Sequence, residues 1–523
     1  MKITDKIPTL ARIGRFILNG PRKLGCYLGK RLVGIFHFFW KRKWKIAFAA
    51  ACLVTLIALV LTALNYHYQA AWNNYAKEAR ARSEILTVDE LAPTPVPDDQ
   101  NFAMTPLSQE IFYAQSKSVP SKTRPNFYIS DDVLTAMPAM VDGFGIKEVN
   151  AQIALQHWKE FFQKTDVLDE LKEKEIYMAQ MDKDLLRPYS RFPIDYSKRP
   201  AASILIPQIG PLLNISTLFY IRGFAEFTTE KYDDALATTL TLLRLSQTVR
   251  DEPFLISKLT EISMLGRPLQ MIWDGLATHC WTDGQLAALE AEIQKVDMMP
   301  QFLQSLKGEK TYMNDSLLSL AQQNWWERMQ EYNRQFKMMT NGYPNLYFDI
   351  AILLSSPRFG IYRALVIGNP GYESLFRAIN VNDHRIDPIQ VKAVDSAINN
   401  LDKNIPGNGF LIDLLPTAGS CVAIFAHSQT WLDQAAVACA LERYRLAQGT
   451  YPEKLNDLVP KYIKKLPNDI ITGGPLHYQR TPDGLFVLYS IGWDGIDHGG
   501  EERISSDGET QKDYNWVWKY PAQ

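Results

Sequence analysis

Cysteine is scarce in this chain, five in 523 residues, which excludes a disulfide-stapled scaffold. Also missing are H-E-x-x-H, G-x-S-x-G, the G-x-x-x-x-G-K-[ST] loop, G-x-G-x-x-G and C-x-x-C. These patterns mark zinc peptidases, α/β-hydrolases, nucleotide sites and thiol redox centres, so none of those classes announces itself locally. Glycine and proline, 29 of each, are too few for a collagen-like or low-complexity chain. What is present, 46% hydrophobic and 22% charged residues, is the composition of a folded protein with room for two to four domains. The net charge of -1 hides a split: residues 1–45 hold 12 Lys/Arg and one acid, leaving 44 bases and 56 acids beyond. That distribution excludes a globally basic nucleic-acid binder and sets the N-terminus apart from the rest.

From Ile46 to Leu64 the chain has no charge, proline or glycine. At 1.5 Å per residue these 19 positions reach about 28 Å, one bilayer crossing. Lys41, Arg42, Lys43 and Lys45 abut the N-terminal end, whereas Asn65, Tyr66, His67, Tyr68 and Trp72 follow the other. The positive-inside rule then predicts an uncleaved signal anchor in a bacterial inner membrane, N-terminus cytoplasmic and the large C-terminal part periplasmic. A cleavable signal peptide fits poorly, because its charged region and apolar core are both shorter. Residues 10–40 interleave Arg12, Arg15, Arg22, Lys23, Lys30 and Arg31 with Phe16, Leu24, Phe38 and Trp40. Two readings stay open for them, a segment lying on the anionic inner leaflet or a disordered basic flank.

Beyond the span, 73–84 reads as helix and LAPTPVPDDQ as a stiff spacer, because Pro93, Pro95 and Pro97 fix φ and disfavour helix before them. From 109 to 428 helical periodicity dominates, with breaks expected at prolines 188, 193, 200, 207, 211, 253, 268, 300, 344, 357, 370 and 388. The apolar stretches Phe348–Ile367 and Phe410–Ala426 contain Arg358 and Asp413 and read as buried helices. Phe219, Gly223, Tyr232 and Ala235 stand at the offsets of a tetratricopeptide helix pair. No second copy follows at that period, so a single helical hairpin is expected. The predicted fold class is mainly α: a transmembrane helix, an extracytoplasmic irregular helical domain, and a small C-terminal α+β domain with an antiparallel sheet. The expected layout is 1–45 basic segment, 46–66 span, 67–108 helix and spacer, 109–427 helical domain and 428–523 tail. In the tail, Ser428–Gln448 is an amphipathic helix ended by Gly449, and LHYQR and LFVLYSI form a hairpin across Thr481-Pro482-Asp483-Gly484.

Chemistry-bearing residues are dispersed. Histidines 67, 157, 279, 384, 427, 477 and 498 show no pairing at ligand spacing. Acidic pairs such as Asp169/Glu170 and Asp233/Asp234 read as solvated helix faces. Cys280, Cys421 and Cys439 cannot all pair within one chain; on a continuous helix the last two would stand about 27 Å apart, beyond disulfide reach. In the last segment Asp494, Asp497, Glu501, Glu502 and Asp507 crowd a turn rich in Gly495, Gly499, Gly500 and Gly508. Such a loop suits a hard cation, yet a solvated acidic turn needs none.

Arg443–Gly500 carries Tyr451-Pro452, Leu466-Pro467-Asn468-Asp469 and Ser490-Ile491-Gly492-Trp493-Asp494-Gly495. In these motifs the last 90 or so residues resemble the globular region of type II secretion major pseudopilins. The resemblance implies calcium in the acidic loop, carried to Asp494 and, with shifted spacing, Asp507. The long basic N-terminus and a span without acid depart from the fibre-forming N-terminus of that family. The whole chain also looks like large uncharacterised membrane-anchored envelope proteins of planctomycete and verrucomicrobial bacteria. The expected function is non-catalytic binding or scaffolding, with the lipid bilayer and envelope or secretion proteins as partners. The alternative is an envelope hydrolase or transferase with its site in the helical domain.

Overall fold

The computed structural model describes residues 8–113, 127, 129–138, 151–324, 326–328, 330, 358–402, 405–501 and 514–520, by backbone alone over 8–43. The chain divides into two units, Met1–Tyr68 and Gln69–Gln523. Helix α1 (Pro8–Ala81), whose part up to Tyr68 lies in the first unit, is long and apolar enough to cross a membrane. Along it Leu53, Val54, Leu56 and Leu59 are 58–66% exposed among the described residues. Thr55 and Thr62 turn their hydroxyls onto the carbonyls of Ala51 and Ala58, at 2.8 and 2.7 Å, satisfying the polar atoms within the helix itself.

The second unit is helical for most of its length. It runs through α2 (Pro106–Tyr113), α3 (Asp131–Ala136), α4 (Ala151–Lys164), α5 (Val167–Asp184), α6 (Ile209–Thr228) and α7 (Tyr232–Ser246). Then come α8 (Leu255–Ala277), α9 (Asp283–Ile293), α10 (Met299–Gln322) and α11 (Arg358–Ala378). A short hairpin, β1 (Ile379–Asn380) and β2 (Arg385–Ile386), precedes α12 (Pro388–Asn399) and α13 (Asn408–Gln448). The tail sheet is β3 (His477–Arg480), β4 (Phe486–Ser490) and β5 (Trp516–Lys519), antiparallel throughout in the order β3-β4-β5. Mainly helical with a small antiparallel C-terminal sheet is the expected class.

Local chemistry sets several boundaries. Thr282 and Gln285 close a capping box at the start of α9, and Asp387 caps α12 by accepting from the N–H groups of Ile389 and Gln390. Gly449 (φ 81°) ends α13 as expected, its N–H donating to the Arg445 carbonyl at 2.7 Å. The predicted helical hairpin is α6–α7, with Phe219 and Ala235 fully buried, and α8 packs on both helices. The Phe410–Ala426 stretch is buried along Leu411, Leu415, Ala418, Val422 and Phe425, inside α13. Because α13 begins at Asn408 and runs through position 428, Cys421 and Cys439 share one helix, and both are free thiols.

One expectation is corrected. Pro268 and Pro370 lie inside α8 and α11 instead of breaking them. Each removes one backbone donor; for Pro268 that local cost is offset by the packing of α8, buried on nearly every face. Pro211, Pro300 and Pro388 stand in first turns, where the missing N–H would be unpaired anyway; prolines 344 and 357 lie outside the described residues. The ends of the proline-rich stretch are pinned, by buried Val88 and Leu91 before it and by Asn101 and Phe102 after, which bond Arg191 and Tyr189. Finally, β1, β2 and β5 were not legible as strands.

The tail shares the helical core. Gln434 of α13 donates to the Trp516 carbonyl at 2.8 Å, and the Trp273 indole of α8 donates to the Lys519 carbonyl at 3.2 Å. Phe486, Leu488 and Trp518 are buried with Trp273 and Leu441 in one cluster.

Candidate functional site

The two sequence motifs of the tail come together. Asp469, fully buried, accepts from the Ile471 N–H at 2.8 Å, the Ser490 hydroxyl at 2.9 Å and the Ile491 N–H at 3.3 Å. One carboxylate thus ties the Leu466–Asp469 turn to the start of the Ser490–Gly495 loop. On that loop Asp494 accepts from the Ile496 N–H at 2.9 Å through one oxygen and meets His498 Nε2 at 2.8 Å through the other. Asp497 accepts from Tyr489 and from the Gly499 N–H, which hold its carboxyl below the usual range. Asn515 completes the loop with donor bonds to the Ile491 and Ile496 carbonyls and acceptor bonds from His498 and Gly500. Asp507 and Glu502 lie outside the described residues. Among the described residues no three His, Cys, Asp or Glu side chains gather as a metal site, and a cation at Asp494 has to compete with His498.

The same Leu466–Asp469 turn forms one wall of a cleft of about 340 Å³. Its other walls are the α9–α10 connection at Val296 and Asp297, the β1–β2 turn at His384, and α13 at Gln429, Asp433 and Ala436. The turn is fastened on both sides: the Ile386 N–H of β2 donates to the Ile470 carbonyl at 2.7 Å, and Arg385 Nε to the Ile471 carbonyl at 3.2 Å. His384 itself adopts φ 49°, a left-handed conformation rare for a side-chain-bearing residue, braced by its N–H bond to Val381 and by the Asn380–Asp383 pair.

Two groups face each other there. His384 Nε2 lies 3.7 Å from Asp433 Oδ2, with the side chains 30% and 16% exposed. Gln429 orients Asp433 by donating to its Oδ1 at 3.1 Å while accepting from the Met298 N–H. Oδ2 has no hydrogen-bond donor of its own. Burial pushes the Asp433 carboxyl up, and Asp433 in turn holds His384 above the ordinary imidazole value. An imidazole and a carboxylate set this close at the edge of a cleft form a pair able to pass a proton to or from a bound group. Lys464 and Lys465 line the same cleft opposite Asp297, and no Ser, Thr or Cys does.

Sequence reading missed this dyad. The partners stand on a hairpin turn and a helix far apart in the chain, and the only local signal is the turn of Asn380–His384. No family model, curated protein or solved structure matches the chain.

Proposed function

We propose that this is a bitopic membrane protein, anchored through Ile46–Leu64 with a cytoplasmic basic N-terminus, whose body from Gln69 onward binds envelope or secretion components on the outer face of a bacterial inner membrane. The observation that carries the reading is the exposed apolar run of α1 with four basic residues at one end and none at the other. The pinned proline-rich stretch and the shared core give such a body a fixed surface for partners. Protease added to spheroplasts is expected to degrade the chain beyond Leu64 while an N-terminal tag survives, and affinity purification from extracted membranes to bring down envelope proteins. A protected C-terminal part, or a mature chain starting near residue 65, overturns the topology.

A second reading, an extracytoplasmic hydrolase or transferase, is favoured by the His384–Asp433 cleft. His384→Ala and Asp433→Asn are expected to abolish turnover of chromogenic ester, phosphoester and glycoside substrates without lowering the melting temperature by more than a few degrees. Absence of turnover by the unmodified protein across those classes removes this reading and leaves the first.

A further inference from the structure

A second cavity of about 420 Å³ opens where the 185–190 segment after α5 meets the end of α7 and the end of α9. Its charge is unusual for this molecule. Beyond residue 45 acids outnumber bases by 56 to 44, yet the cavity is lined by Arg187, Arg244, Arg250 and Lys295 against only Asp251 and Glu292.

The two carboxylates are already shared. Glu292 serves Arg244 Nε at 3.3 Å and Lys295 Nζ at 2.8 Å, whereas Asp251 serves Arg250 Nε at 3.2 Å and Arg191 Nη1 at 2.6 Å. Arg187 has no carboxylate among the described residues; its Nη1 is aimed by the Asp98 and Asn101 carbonyls, each at 3.0 Å. Those are neutral acceptors, so they position the guanidinium without cancelling its charge. Gln247 spends its Nε2 on Ser246 and Glu261, at 3.2 and 3.0 Å.

A ligand complementary to this lining carries negative charge for the guanidinium groups. We infer that the cavity binds the phosphate group of a phosphate ester, with Arg187, Arg244 and Arg250 on the phosphate. Planar guanidinium donors match phosphate oxygens in pairs, and the partly enclosed wall weakens screening by salt. Anchoring is not needed for this inference, since either a soluble phosphate ester or a phospholipid headgroup supplies the chemistry.

The test is calorimetric titration of the full chain in neutral detergent with inorganic phosphate, glycerol 3-phosphate and a short-chain phosphatidylglycerol. Saturable binding of at least one is expected, weakening as salt rises. Preference for the phosphatidylglycerol identifies a headgroup site. Arg250→Gln and Lys295→Glu, both at exposed side chains, should each weaken binding about ten-fold or more. Arg187→Gln should do the same, and if it fails to fold the other two variants carry the result. No saturable heat with any of the three probes, or binding indifferent to Arg250→Gln and Lys295→Glu, overturns the proposal.

Discussion

Glu442 sits at 1% side-chain exposure in α13 and accepts from His279 Nδ1 at 2.8 Å, Arg445 at 2.8 and 2.6 Å, and the Tyr451 hydroxyl at 2.8 Å. Burial opposes its charge, but Arg445, His279 and Tyr451 outweigh burial and hold the carboxyl at about 2. A folded value below the ordinary 4.5 means stability that is present above pH 4.5 and lost as pH falls from there toward 2. Glu442→Gln should therefore cost about 3 kcal/mol or more at pH 7, since it leaves a buried cluster of donors without its anion. Thermal melts of both proteins across pH should show that gap narrowing below pH 4.5. Equal melting at pH 7 would place the stabilisation elsewhere. Tyr451 is half of the Tyr-Pro step noted in the sequence, so that signal marks a structural tie between helix and tail. The residue beside Tyr451, Pro452, supplies its carbonyl to the Tyr478 hydroxyl at 2.7 Å, extending the tie to β3.

Among the elements, α10 shows what close approach demands. A Cβ on Gly308 would stand 1.8 Å from the Pro253 carbonyl oxygen, a backbone atom that cannot swing aside. Gly284, on α9, has nothing within 4 Å of the same position. Alanine in a helix is favoured over glycine by up to about 1 kcal/mol, whereas forcing atoms into a packed contact costs about 1–3 kcal/mol. Gly308→Ala is expected to lower the melting temperature and Gly284→Ala to leave it unchanged or raise it, measured by circular dichroism on both variants. A Gly308→Ala protein as stable as its parent would show that α10 and the Pro253 loop are free to separate. The stop at Gly449 was readable because it acts within four residues, whereas the caps at Thr282/Gln285 and Asp387 emerged only with the structure. Element interiors were less readable: Pro268 and Pro370 break helices by local rule, and only the neighbours of α8 and α11 reverse that.

For the whole molecule, the sequence by itself determined what depends on period and composition. The uncharged 19-residue run gave α1 its exposed apolar surface, the offsets of a helix pair gave the α6–α7 hairpin, helical spacing gave the Ser428–Gln448 part of α13 but not its continuity back to Asn408, and the turn at Thr481–Gly484 gave β3 and β4. Those signals are local, and a chain of any tertiary arrangement would carry them. The tertiary structure alone decided which distant residues meet. It added β5 to the tail sheet, brought Asp469 onto Ser490 and Ile491, set Asn515 into the acidic loop, and placed the tail on α8 and α13. It also faced His384 with Asp433 and gathered Arg187, Arg244 and Arg250 around one cavity. None of these pairs has a sequence spacing that a helix or strand repeat enforces. Each exists because burial of the apolar residues beside it fixes the backbones that carry the polar groups, and that burial is a property of the packed chain rather than of any segment.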